Sequence, residues 1–255
     1  MKESPPMGMN RTGIQMSPFD SNLMQSPPPA SVSFTPGDSS EIAKMRMDSI
    51  SEAEPLGSVP MPGTISGAIT TGVSMLTGNS PQIFLDKLGE RLAFERTGTR
   101  LYDALITKCE AMDSGIQGLT VGELRQIRTE EARHFLLIAD AIERLGGDPT
   151  AETPSADLAG VESIGMMQIV TDPRTTMAQS LHAMLAAEMV DNAGWELLIA
   201  LAESNQQTGM SSEFSTALAE ERTHLQRVQA WYESATLGTT YPDVAAGGEP
   251  NPAMH

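Results

Sequence analysis

The chain has a single cysteine, Cys109, among 255 residues. One thiol excludes an intrachain disulfide framework and any four-cysteine zinc or rubredoxin-type site, and it fits a reducing cytoplasm. Basic residues are scarce: 16 Lys and Arg face 33 Asp and Glu, a net charge of -17. That balance argues against nucleic acid, whose phosphates require clustered cations. No apolar run approaches the roughly 18 residues of a membrane span. The opening Met-Lys-Glu-Ser-Pro-Pro has no apolar stretch behind its charge, so neither a signal peptide nor a membrane partner is expected. Aromatics make up only 4% beside a hydrophobic fraction of 40%, a composition that leans towards helical packing.

What is present is unevenly spread. Residues 1–79 hold ten of the 17 prolines and nine of the 17 methionines, a composition that predicts a disordered arm. Ile65–Leu76 is its only stretch apolar enough to dock on something. Residues 238–255 are rich in Gly and Pro and read as a flexible tail. Between them, residues 80–237 carry four long helical patterns. The first starts at Ser80-Pro81, an N-cap followed by proline. The second opens with the capping-box sequence Thr120–Glu123 and stops at Gly146-Gly147. The third is expected from Asp172-Pro173, and the fourth after a loop near Thr208–Ser212.

Short loops within each pair predict two antiparallel hairpins. The link from about Gly146 to Thr171 is long enough to run the length of the helices, with a short helix expected over Ser155–Met167. The fold class read from this pattern is all-α: a four-helix bundle of two hairpins joined by one long crossover.

Each apolar stripe is interrupted by groups that belong in water. Glu95 lies on the stripe of Leu88, Leu92 and Tyr102; Glu131 and His134 lie between Ile127 and Ile138. Glu188 falls between Met184 and Trp195, and Glu221 and His224 between Leu218 and Val228. Four carboxylates aimed at one core repel one another, and cations are the natural remedy. The two hairpins repeat one unit, a Glu followed 36 or 33 residues later by Glu-x-x-His. A Glu and a His three apart share a helix face and can grip one ion together. One Glu from each of two helices and Glu-x-x-His from each of the others is the ligand set of di-iron and di-manganese carboxylate bundles. Carboxylate and imidazole suit iron or manganese, so two Fe ions are expected, with Mn open.

On these six residues the chain resembles the ferritin-like superfamily, and within it bacterioferritins and rubrerythrin-type proteins. Tyr102, seven residues after Glu95, strengthens the resemblance. It implies that Glu131 and Glu221 bridge two ions, that Glu95 and Glu188 are terminal ligands, and that His134 and His224 hold one ion each. It also implies an oxidoreductase of iron handling or oxidative stress: a ferroxidase, or a rubrerythrin-like reducer of peroxide. O2 or H2O2 would be the substrate and an external donor the electron source, with Tyr102 acting on a carboxylate or as a radical relay. Homodimerisation is open. Alternatives are iron storage, a monooxygenase, a di-manganese catalase, or a metal-free bundle. The resemblance departs in three places. Asp191 stands where rubrerythrins carry a second Glu, and is expected to accept a His N–H; the Cys-rich electron-transfer domain is missing; and a Gly/Pro tail replaces a fifth helix. Glu130 and Glu220 face about 100° from the ligands and read as solvated. His182 reads as surface or packing, and Cys109, Trp195 and Trp231 as core.

Overall fold

The computed structural model describes residues 17–26, 39–60, 81–112 and 115–238. Among them every regular element is a helix: α1 (Pro18–Gln25), α2 (Ser40–Glu52), α3 (Pro81–Ala111), α4 (Val121–Arg144), α5 (Pro154–Thr171), α6 (Met177–Ser204) and α7 (Thr208–Leu237). None is long and apolar enough to cross a membrane. The chain divides into two units, Glu3–Pro55 and Leu56–His255, the second also taking in the first two residues. The smaller unit holds α1 and α2, so helix is described within the stretch whose composition predicts disorder. No residue of α2 is buried. Ile65–Leu76, Ser80 and the tail beyond Gly238 lie outside the described residues.

In the larger unit the helix ends follow local chemistry. Thr120 Oγ1 accepts the Glu123 N–H at 3.1 Å, half of the expected capping box. The Glu123 carboxylate turns instead to Arg227, 2.7 Å away on α7. Gly146, at φ 83°, takes the left-handed conformation that ends α4 cheaply. Two expected boundaries move. Asp172-Pro173 does not start a helix; Asp172 caps the end of α5, and proline blocks its continuation. The next helix starts at Met177 behind a complete capping box of Thr176 and Gln179. Thr208–Ser212 is already helical, and the turn before it is Asn205–Gln207, with Gln206 at φ 60°.

The long link is more helical than expected, 18 residues rather than a short piece. Helix α3 packs on α4, α5 and α6, and α6 packs on α7. One helix clasps both ends of α5. Asp86 accepts the backbone N–H of Ser155 at 2.9 Å and its hydroxyl at 2.6 Å. Lys108 donates to the Asp172 carbonyl at 3.0 Å, to Thr175 Oγ1 at 2.5 Å and to Ser180 Oγ at 2.8 Å. Helix α5 therefore runs alongside α3 in the same direction. Gly89 permits the close approach, because a Cβ there would lie 2.5 Å from Thr153 Oγ1.

Two apolar clusters form the core. One gathers Leu101, Leu105, Leu124, Ile127, Leu181, Met184 and Val228. The other gathers Leu88, Ile138, Trp195, Leu198, Phe214 and Leu218. Along α3 and α7 the chain passes from the second cluster to the first, and along α4 and α6 from the first to the second. All four helices carry their charged stripe residues between the clusters, in one layer.

Candidate metal centre

The layer contains Glu95, Glu131, His134, Glu188, Asp191, Glu221 and His224, all at most 3% exposed. The six residues singled out by stripe position fall into two overlapping groups whose ligand-type atoms lie within 4.8 Å of one another. Glu131, Glu188, Glu221 and His224 form one; Glu95, His134 and Glu221 form the other. Glu221 belongs to both, whereas Glu131, the other expected bridge, belongs only to the first.

Both imidazoles present Nδ1 to the layer. His134 Nδ1 is 2.5 Å from Glu221 Oε1. His224 Nδ1 is 3.1 Å from Glu221 Oε2 and 3.3 Å from Glu131 Oε1. The outer nitrogens are held crosswise. His134 Nε2 lies 2.9 Å from Glu220 on α7, and His224 Nε2 lies 2.7 Å from Glu130 on α4. Glu130 and Glu220 are therefore not simply solvated, as helix-face reasoning suggests. Each reaches across the helix pair to the histidine of the opposite motif, and Arg133 joins them, 3.2 Å from Glu220 and 3.8 Å from Glu130. Asp191 does not accept a His N–H; it faces Arg91, a buried guanidinium one turn before Glu95. Arg91 also donates to the Asp191 carbonyl at 2.8 Å, and its Nε lies 3.6 Å from Glu95.

The electrostatics are those of a layer short of positive charge. Burial pushes Glu95, Glu188 and Glu221 well above the usual carboxylate range. Neighbouring carboxylates add to the shift, Asp191 and Glu131 for Glu95 and Glu131 for Glu188. Glu131 is raised by burial as well, against the hydrogen bond to His224. Burial lowers His134, so its ring is neutral; donating Nε2–H to Glu220 leaves the Nδ1 lone pair facing the layer. Burial would lower His224 too, but hydrogen bonding to Glu131 and the charge of Glu188 outweigh it and raise it to about 9. Tyr102 is held well above its ordinary value by burial and by Glu188, so it stays a phenol and donates to the Glu188 carboxylate.

The donor set fits cations. Both oxygens of Glu95 and Oε2 of Glu188 are buried without a hydrogen-bond partner. Ionised, the five carboxylates of Glu95, Glu131, Glu188, Asp191 and Glu221 against Arg91 leave four negative charges. Two divalent ions would cancel them, and no thiolate competes for a softer metal.

Smaller features hold the layer in register. A Cβ at Gly98 would collide with Glu131 Oε2, so its absence gives that carboxylate room. The Asn192 amide donates to the backbone carbonyls of Glu188 at 2.9 Å and Glu221 at 3.1 Å, tying α6 to α7 beside two carboxylates. Trp195 sets its ring edgewise to His134, with centroids 5.5 Å apart. His182 is exposed beside Tyr232, away from the layer. Cys109 is half-buried against the first cluster, and Trp231 is buried in it. Sequence reasoning missed Arg91, although its position four residues before Glu95 was a usable signal. Compared with known families, curated proteins and solved structures, the chain gives no match.

Proposed function

We propose that residues 80–237 form a ferritin-like four-helix bundle whose polar layer is a di-iron centre, and that the protein is an oxidoreductase reacting with O2 or H2O2. The observation that carries this reading is the paired arrangement of the histidines. Each turns Nδ1 towards two carboxylate groups that share Glu221, and each has its Nε2 fixed by a glutamate of the other hairpin. A carboxylate holding the outer N–H fixes the tautomer and raises ligand basicity. The clasped crossover α5 supports the bundle topology, since it spans α3 between the two hairpins.

Glu131, Glu188, Glu221 and His224 would hold one ion; Glu95, His134 and Glu221 would hold the other. When bound, a pair of iron ions supplies two electrons to O2 or peroxide. The chain provides the setting. Tyr102 keeps its phenolic proton and donates it in a hydrogen bond to the Glu188 carboxylate, where it can fix that ligand's orientation or deliver the proton. The clusters around Leu105 and Phe214 close the layer on both sides and keep bulk water from it. Arg91 offsets one negative charge from within.

The test is metal content after anaerobic purification, followed by O2 and H2O2 consumption by the iron-loaded protein. About two metals per chain and consumption faster than the same free Fe(II) are expected. Two metals with no acceleration would reduce the reading to iron binding; no metal would remove it.

A further inference from the structure

The two ligand groups differ by one member, Glu131, and beside Glu95 of the smaller group stands a further buried carboxylate that joins neither. Asp191 lies three residues beyond Glu188 on α6, the same step that joins Glu131 to His134 and Glu221 to His224. It is buried at 3% exposure, yet it belongs to neither ligand group. Its carboxylate is engaged by the buried Arg91, which also holds its backbone carbonyl at 2.8 Å. The guanidinium is itself confined. Its carbon lies 4.4 Å from the centroid of the Phe94 ring, and Nη1 occupies a slot beside Gly194, where a Cβ would come within 2.6 Å. At the position in α6 that corresponds to Arg91, four residues before the helix's glutamate, stands Met184. An apolar side chain thus fills the matching place in the same core. A buried ion pair gains little stability over such a side chain, so stability alone does not account for it.

Resting on the dimetal reading above, we infer that Arg91 is a positioning residue that withholds Asp191 from the cation at Glu95, His134 and Glu221. That ion is thereby kept one protein ligand short and open to a small exogenous anion. The geometry assigns the withheld carboxylate to the three-member group, because Asp191 adjoins Glu95 and the guanidinium that engages Asp191 also brings its Nε within 3.6 Å of Glu95. The guanidinium also adds the positive charge that an entering anion needs.

Titration with Co(II), whose visible absorption weakens as its ligand number rises, tests this without turnover, and azide serves as the anion probe. The wild type should bind two Co(II) in two affinity classes, with azide perturbing the spectrum of the weaker. In Arg91→Met the freed Asp191 should tighten the weaker class about tenfold, the scale of outer-shell changes, and abolish the azide response. Gly194→Ala displaces the guanidinium while keeping its charge, and should act in the same direction even if Arg91→Met fails to fold. Asp191→Asn should leave the azide response in place. Loss of one affinity class in Asp191→Asn would make Asp191 a ligand already and overturn the inference. So would unchanged affinities and azide response in both Arg91→Met and Gly194→Ala, with wild-type uptake of two ions still supporting the dimetal reading. If the wild type binds no Co(II), both readings fall together.

Discussion

Helices α3 and α4 present the same unit as α6 and α7, yet the two halves are alike only in part. Glu95 corresponds to Glu188, and Glu130-Glu131-x-x-His134 to Glu220-Glu221-x-x-His224. The crossed bonds from His134 to Glu220 and from His224 to Glu130 are nearly equal, at 2.9 and 2.7 Å. Around this shared frame three positions diverge: Arg91 against Met184, Gly98 against Asp191, and Tyr102 against Trp195. The matched positions are those suited to gripping cations. The unmatched ones set charge, space and a proton donor, so they make the two ion positions chemically unequal.

The largest effect should come from the one residue both groups share. Glu221→Ala is expected to weaken uptake of both ions by more than the 10–100-fold typical of outer-shell partners. Glu95→Ala should remove one ion only. Calorimetric Fe(II) or Co(II) titration reads the difference, and loss of a single ion in Glu221→Ala would break the shared-carboxylate picture.

Next comes the dependence of stability on pH after chelation. Glu95, Glu188 and Glu221 lie above their ordinary values in the fold, so the unfolded chain ionises first. Their contribution is whole below the ordinary carboxylate range and is lost as pH rises through the folded values. His224 acts in the same sense, whole below 6.5 and lost through about 9. Each group costs about 1.4 kcal/mol per pH unit over which it titrates differently in the two states. The chelated protein should therefore lose melting temperature between about pH 6.5 and 9 while the loaded protein holds it. Parallel curves would mean that cations do not relieve the layer.

A smaller effect sharpens the symmetry. Glu130→Leu and Glu220→Leu should each weaken ion binding about 10–100-fold, and by similar factors. A tenfold disparity would show that one histidine does not need its clamp. Smallest is Tyr102→Phe, which strips Glu188 of its donor. It should cost about 1–2 kcal/mol in denaturant unfolding of the metal-free protein and little in ion affinity.

Much of this was legible in the sequence, for identifiable reasons. Stripe spacing placed Glu95, Glu131, His134, Glu188, Glu221 and His224 inward because burial on a helix follows its period. Gly146 marked the end of α4 because only the left-handed region was needed there. The failures arose where partners lie on another helix. A single-helix projection turns Glu130 away from its own ligands but cannot show that it turns towards His224. Arg91 hid between Leu88 and Leu92 because a long side chain can leave its own stripe for Asp191. Asp172-Pro173 looked like a helix start, but the same pair serves equally well to end α5.

The clasp on the crossover has a consequence for how the molecule opens. Asp86 and Lys108 both belong to α3 and grip α5 at opposite ends. Peeling α5 from one end leaves the other tether in force, so neither end can fray alone at low cost. Amide hydrogen exchange along α5 should then be released as a single cooperative step rather than as a gradient from one terminus. Lys108→Met should turn that step into a gradient beginning at Thr171.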